Sequence, residues 1–206
     1  MARTEIRFAG FGGQGVVLAG VLLGEAAVIH DGKYAIQTQT YGAAARGGAA
    51  RSDVIISEDR ITYPQVTAPD IMVAFTLEAM NKYKSEMKEG ALLIVDSSLF
   101  TPPDFLPFRV HTCPATGIAV NELGKGIVAN MVMLGFLTAL TVIVSENAMT
   151  EAIRANVPKG TEELNLKAFR RGMELGKEEK ELSLARSASW DSRETFATHG
   201  HQRGAK

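Results

Sequence analysis

Short apolar runs alternate along the chain with longer segments that have helical spacing. The runs have the length and β-branched character of buried strands. Strands are predicted over residues 5–9, 33–39, 52–57, 61–63, 70–75, 91–95 and 109–112. Helices are predicted over 15–30, 77–88, 115–123, 127–144, the segment between Ser145 and Pro158, and 161–182. This alternation is typical of a Rossmann-like, doubly wound α/β fold with a mainly parallel sheet, followed here by C-terminal helices.

One pair of predicted strands departs from the parallel arrangement. Residues 52–57 and 61–63 are joined only by Glu58-Asp59-Arg60. Parallel strands need a long crossover, whereas a connection this short is typical of a hairpin. The sequence therefore predicts an antiparallel hairpin inserted into the parallel sheet.

Length and composition indicate one folded domain with a tail. The 206 residues are 46% hydrophobic, which suffices for one α/β core over residues 1–182. From Ser183 onward the chain is polar, with no sustained periodicity. We interpret 183–206 as a flexible tail, with docking of Trp190 and Phe196 on a partner as the alternative.

The most apolar segment, residues 127–144, is about as long as the shortest membrane-spanning helices. Asn130, Gly135, Thr138 and Thr141 interrupt it, and it stands alone. A helix covered by the sheet and by neighbouring helices explains the segment better than a membrane span. Any residual apolar surface on it is expected at a subunit contact.

Residues 10–15, GFGGQG, lie between the first predicted strand and the first predicted helix. Glycines in the order G-x-G-x-x-G at such a junction bring backbone N–H groups close to a phosphate. The candidate binding residues are Gly10, Gly12, Gly13, Gln14 and Gly15. The alternative is that the glycines only permit a tight turn and close helix packing.

A nicotinamide or flavin dinucleotide site would place Asp or Glu at the end of the second strand. Gln37 and Gln39 stand there instead, and Asp31 precedes the strand. This argues against a dinucleotide.

Residues 39–53, QTYGAAARGGAARSD, consist largely of small residues with two arginines. Such a loop suits an anion, or a flat contact with another protein, better than a core; a flexible loop with incidental arginines is the third reading. Its candidate binding residues are Tyr41, Arg46, Gly47 and Gly48. Because segments after parallel strands emerge at one sheet edge, we expect this loop beside the glycine turn.

Charge and reactive side chains exclude several classes of site. Lys plus Arg number 22 against 23 for Asp plus Glu, so no general field attracts nucleic acid. One cysteine, Cys113, is too few for an iron–sulfur cluster or an internal disulfide. The histidines lack metal-ligand spacing, and Ser97 and Ser98 after Asp96 suit turn and helix capping. No catalytic residue and no metal site are predicted.

Without an export signal, the cytoplasm is the expected location.

Four segments in order carry a family resemblance: GFGGQGVVLAGVLLGEAA, QTQTYGAAARGGAARSDVIIS, PDIMVAF and KYKSEMKEGALLIVDSSL. With them the chain, from about Ile6 to Gly176, resembles the gamma subunit of 2-oxoacid:ferredoxin oxidoreductases, most of all the 2-oxoglutarate branch. Pyruvate, branched-chain and aryl branches are the alternative, and a stand-alone nucleotide-binding protein is the third.

The resemblance implies a division of labour between chains. Enzymes of this family decarboxylate a 2-oxoacid on thiamine diphosphate, reduce ferredoxin through iron–sulfur clusters and transfer the acyl group to coenzyme A. This chain has neither G-D-G nor C-x-x-C. Thiamine diphosphate, Mg and the clusters are therefore expected in alpha and beta subunits, with a ferredoxin-like delta subunit as a further partner. The isolated chain is expected to be inactive, with coenzyme A phosphates at the glycine turn and Arg46.

Overall fold

The computed structural model describes residues 3–41 and 49–199, with side chains over 3–40 and 49–186. Its strands are β1 (Thr4–Phe11), β2 (Tyr34–Tyr41), β3 (Ala49–Ser57), β4 (Ile71–Ala74), β5 (Leu92–Asp96) and β6 (Arg109–Cys113). Its α-helices are α1 (Val16–Glu25), α2 (Leu77–Tyr83), α3 (Ala115–Asn121), α4 (Ala129–Thr141), α5 (Glu146–Asn156) and α6 (Glu162–His199). Shorter helical turns follow α1 and α2 and precede α4; they are Ala26–His30, Lys84–Glu86 and Gly126–Val128.

The six strands form one sheet in the order β2-β3-β1-β4-β5-β6. Strands β1, β4, β5 and β6 are parallel, and β3 is antiparallel to both of its neighbours. Helices α1, α3, α4, α5 and α6 pack with apolar side chains of one sheet face, and α2 packs with those of the other. The predicted α/β class, with a mainly parallel sheet and an antiparallel insertion, is confirmed.

The predicted position of the hairpin is wrong. Strand β3 pairs with β2, from Tyr34 opposite Ser57 to Tyr41 opposite Ala50, and residues 61–63 form no strand. Their segment runs past the start of β1, where the Arg3 guanidinium donates to the carbonyl oxygens of Tyr63 and Gln65 at 2.6 Å each. Those carbonyls are thus held by a side chain, and Pro64 between them has no N–H for a strand ladder.

Helix α4 is covered on all sides, as the sequence predicted. Every residue from Ala129 to Ala139 is buried, against the sheet, α3 and α6. The chain turns out of α4 at Val142, whose φ of 52° is left-handed. In the part of the chain that the structure describes, no helix is long and apolar enough to cross a membrane.

Helix α6 is longer than predicted. It passes Leu182, where the sequence predicts its end, and ends at His199; that residues 183–206 form a flexible tail stays a prediction. Residues 183–199 contain no Gly or Pro to stop a helix that has already begun, and Gly200 is the first. The division of the chain at residue 182 stays a prediction.

Candidate site at the glycine turn

Strand β1 and helix α1 are joined by a turn that Gln14 closes. The Gln14 side-chain oxygen accepts from the Phe11 N–H at 2.7 Å, and the Gln14 N–H donates to the Phe11 carbonyl at 3.2 Å. The backbone takes positive φ at Gly13 (97°) and Gly15 (73°), values that favour glycine. Gln14 therefore has a structural role in shaping the turn.

The four glycines of the turn serve two purposes. A Cβ on Gly10 would lie 2.6 Å from the Gln14 side-chain oxygen, and one on Gly15 would overlap the Asn130 amide. These two glycines permit close packing, which is the alternative to phosphate binding that the sequence left open for them. Gly12 and Gly13 are exposed, and no described atom lies within 4 Å of where their Cβ would be. These two glycines therefore leave room for a ligand to approach the backbone.

The N-terminus of α1 has no side-chain cap, in contrast to two other helices of this chain. Thr76 caps α2 by accepting from the Ala79 N–H at 3.2 Å, and Ser145 caps α5, as predicted, by accepting from the Ala148 N–H at 3.1 Å. At α1 the preceding residue is Gly15, and no side chain within residues 3–40 and 49–186 accepts from the first turn. The first N–H groups of a helix carry partial positive charge, so this end can take an anion.

A cavity of about 600 Å³ opens beside Gly12 and Gly13. Helices α1, α4 and α6 all begin at its wall; Val128 before α4 offers no side-chain cap, and the Asn130 side-chain oxygen accepts from the Met131 N–H at 2.9 Å in the first turn of α4. Most of the lining is apolar, with polar side chains from Lys125, Asn130, Thr161 and Asn165. The site therefore combines the positive ends of several helices with an apolar interior of the size typical of small-molecule sites.

Lys125 is a site residue that the sequence analysis missed. It lines the cavity, is exposed, and forms no ion pair within the described residues. It lies between Gly124 and Gly126, shortly before α4 begins. The sequence signal for it was a lysine flanked by two glycines ahead of a helix. That pattern indicates a site residue only once α1 and α4 are known to begin side by side.

Only part of the second predicted loop lies within the described residues. Tyr41 ends β2, while Arg46, Gly47 and Gly48 lie outside the described residues. Phe11 pairs with Ala49 and Tyr41 pairs with Ala50, so β1 and β2 end at the same sheet edge, as predicted, with the start of β3 between them. Contact between the two loops stays a prediction.

Asp96 and the serines after it form a structural cap. The Asp96 carboxylate accepts from the Ser98 N–H at 3.1 Å, the Thr116 N–H at 3.1 Å and the Thr116 hydroxyl at 2.6 Å. Ser98 in turn accepts from the Gly117 N–H at 2.9 Å. The interpretation as turn and helix capping is confirmed. Across the described residues, no group of three or more His, Cys, Asp or Glu side chains is placed to hold a metal ion.

Cys113 is predicted to resist alkylation in the native protein. Its side chain is fully buried, and burial, helped by the nearby charge of Asp96, raises the pKa of the thiol above its usual range. At pH 8 we expect negligible labelling by iodoacetamide in native buffer and complete labelling in guanidinium chloride, both measured by intact mass. Stoichiometric labelling of the native protein within minutes would contradict this assignment.

Comparison with protein families gives a match over residues 5–175 to the family described as pyruvate ferredoxin/flavodoxin oxidoreductase. The chain belongs to this family. It is 51% identical over 179 residues to 2-oxoglutarate synthase subunit KorC of Methanocaldococcus jannaschii, covering 85% of this chain and 95% of the relative.

Two solved structures of the family are similar in fold. The keto/oxoacid ferredoxin oxidoreductase gamma subunit from Geobacter sulfurreducens has a TM-score of 0.75 at 45% identity, covering 84% of this chain and 98% of that one. The 2-oxoglutarate:ferredoxin oxidoreductase from Magnetococcus marinus, with 2-oxoglutarate, coenzyme A and succinyl-CoA bound, has a TM-score of 0.78 at 27% identity. That match covers 86% of this chain and 31% of the Magnetococcus chain, so there the oxidoreductase domain is part of a longer polypeptide.

Proposed function

We propose that this chain is the gamma subunit of a 2-oxoglutarate:ferredoxin oxidoreductase, which converts 2-oxoglutarate to succinyl-CoA and reduces ferredoxin. The similarity to the KorC chain, over nearly the full length of that relative, supports this branch. A gamma subunit of the pyruvate, branched-chain or aryl enzymes is the less supported alternative. A stand-alone nucleotide-binding protein is less supported still, because gamma subunits share both the fold and the sequence.

Within that complex, we assign to this chain a contact with the phosphates of coenzyme A. The observation that carries the assignment is the open Gly12–Gly13 backbone at the uncapped start of α1. Each N–H group there is a donor that an anion can satisfy, and no side chain that the structure describes competes for it. The Magnetococcus enzyme, whose structure has coenzyme A bound, supports a coenzyme A site in complexes of this family.

The decarboxylation and electron-transfer chemistry belongs, in this proposal, to partner subunits. Alpha and beta subunits would hold thiamine diphosphate, Mg and iron–sulfur clusters, with a ferredoxin-like delta subunit as a further partner and ferredoxin as the acceptor. This chain has a single cysteine, and an iron–sulfur cluster needs more cysteine ligands than that. A cytoplasmic location is part of the same proposal.

A matched pair of variants at Gly13 tests the phosphate contact. Gly13→Asp and Gly13→Asn impose nearly the same size and the same strain at a φ of 97°, but only Asp adds a negative charge beside the α1 N-terminus. In the assembled enzyme we expect Gly13→Asp to raise the KM for coenzyme A at least about tenfold above that of Gly13→Asn. The KM for 2-oxoglutarate should stay the same in both.

Assembly, measured by gel filtration, separates phosphate binding from subunit docking. Normal assembly and equal KM values for coenzyme A in the two Gly13 variants would refute the phosphate contact. Failure of Gly13→Asp to assemble would instead favour the view that the turn and the arginine loop form a docking surface. Arg46→Ala extends the test to that loop, where we expect a smaller rise in the same KM.

A further inference from the structure

One edge of the sheet is open, and we propose that a second copy of this chain pairs with it. Strand β2 is the last strand at its end of the sheet and pairs with β3 on its inner side. Among the described strands, none pairs with its outer side. Antiparallel pairing of β2 with β2 of a second copy joins the two six-stranded sheets into one. This contact concerns assembly and does not depend on the proposed coenzyme A contact.

Strand β2 lacks the features that normally keep an edge strand from pairing with another chain. Its eight residues, YAIQTQTY, include no charged residue and no proline. Edge strands are usually protected by charges, by proline, by a short length or by a covering element. Strand β6, at the opposite edge, is protected in this way. It has five residues, begins with Arg109, and is joined to α6 by a hydrogen bond of 2.8 Å between His111 Nδ1 and a Glu179 carboxylate oxygen.

Both faces of the sheet are open along the second half of β2. Thr38, Gln39 and Thr40 are exposed in succession, and successive side chains of a strand point to opposite faces. Tyr34, on the same face as Thr38 and Thr40, is 49% exposed. A partner that covers one face would leave the other face and the edge open. A strand that continues the sheet, and brings its own neighbouring layers, covers all three.

A two-fold axis perpendicular to the sheet gives such a continuation. An axis through Gln37 or Thr38, at the middle of β2, makes the two strands antiparallel and keeps equivalent faces on the same side. Helix α1 packs beside β2 and exposes Val21 and Val28. The same axis places α1 of the second copy next to this helix, so that the two apolar surfaces cover each other.

The absence of charge from β2 favours a second copy over a different chain. In a two-fold contact each residue near the axis meets its own equivalent, so any charge there would be repelled by a like charge. Strand β2 carries none, and Ile36 and Thr38 are β-branched residues that are favoured in cross-strand pairs. A strand adapted to a different subunit can use charges to select its partner and fix the register, and β2 has no charge for that purpose.

A charge at Thr38 tests the contact in the full-length chain. Thr38→Lys places two like charges near the axis, and Thr38→Val keeps a neutral β-branched side chain at the same position. We expect the wild-type chain and Thr38→Val to sediment with the mass of two chains. Thr38→Lys should raise the dissociation constant of the dimer at least about tenfold, with partial recovery at high salt. Thr101→Lys, at an exposed position between β5 and β6, should leave the dimer unchanged.

Cross-linking in the assembled enzyme identifies the neighbour of β2. Thr38→Cys introduces an exposed thiol, whereas the native Cys113 is buried. We expect a short bifunctional thiol reagent to join two copies of this chain through position 38. Thr101→Cys is the control and should give no cross-linked pair.

Three results would overturn the proposal. The first is a monomeric wild-type chain. The second is a Thr38→Lys dimer as tight as the wild-type dimer, which would place the contact elsewhere. The third is cross-linking of position 38 to a different subunit, which would assign the edge of β2 to that subunit. None of these results bears on the Gly13 variants, which test the coenzyme A contact separately.

Discussion

Gly172→Ala is expected to lower the free energy of unfolding by about 3 kcal/mol, through one added methyl group. Gly172 lies in α6, and a Cβ there would overlap the carbonyl oxygen of Val132 in α4. Gly135 faces the Phe169 carbonyl in the same manner from the other helix. Because backbone atoms rather than flexible side chains stand in the way, the two helices must separate. The separation would disturb the buried face of α4, at the centre of the core.

A second helical glycine supplies the control. At Gly24 in α1, the nearest described atom to an added Cβ is the Gln37 Cβ at 3.9 Å, an ordinary contact. Gly24→Ala should therefore stabilise by about 0.5–1 kcal/mol, the usual gain from alanine in a helix. Urea unfolding followed by circular dichroism measures both variants. If Gly172→Ala proved as stable as the wild-type protein, the close approach of α4 and α6 would be wrong.

The burial of α4 was predictable from the sequence, but the means of its burial was not. An apolar segment of that length needs cover on all sides, whatever covers it. The glycines at 135 and 172 carry no such signal, since helical glycine usually indicates only a weaker helix. Their purpose depends on which helix lies opposite, and hydrophobic periodicity does not encode that.

The pairing of β3 shows a related limit of prediction from the sequence. The run at 61–63 has strand character, and Glu58-Asp59-Arg60 has the length of a hairpin turn, so local criteria favoured a pairing that does not form. The actual pairing joins β3 to β2, which are separated in the sequence by residues 42–48. Pairing of β3 with the full length of β2 is more favourable than a short turn into residues 61–63, because each residue pair added to the strand ladder contributes to stability.

The candidate site was predicted in outline. The glycine spacing located the turn, but only the structure distinguishes its four glycines. The space beside Gly10 and Gly15 is occupied by Gln14 and Asn130, whereas the space beside Gly12 and Gly13 is open. Lys125 was not found, because it is far from the turn in sequence and reaches the cavity through the arrangement of α4 beside α1. Contacts of that kind depend on tertiary packing.

A buried ionic cluster lies between β1, β3 and α2, and a substitution in it is the second that we expect to have a large effect on stability. Arg7 is fully buried, and its guanidinium donates to both oxygens of Asp53, at 2.7 and 2.9 Å, and to Glu86. It also lies 5.2 Å from the centre of the Tyr83 ring. Burial alone would lower the pKa of Arg7, but hydrogen bonds and the negative charges of Asp53 and Glu86 raise it overall. Arg7 and Asp53 lie opposite each other in the antiparallel pairing, so the pair also fixes the register of β3.

Asp53→Asn is expected to lower the free energy of unfolding by about 3–5 kcal/mol, since it leaves a buried guanidinium with only part of its compensating charge. An apolar exchange of both partners, Arg7→Met with Asp53→Leu, should recover most of that loss, because no buried charge then lacks a partner. Asp70→Asn, in the more exposed pair with Lys88, serves as the control and should cost no more than about 1 kcal/mol. Urea unfolding measures all three. If Asp53→Asn were as mild as Asp70→Asn, the cluster would be an incidental ion pair; if the double variant were no more stable than Asp53→Asn, packing rather than charge would account for the loss.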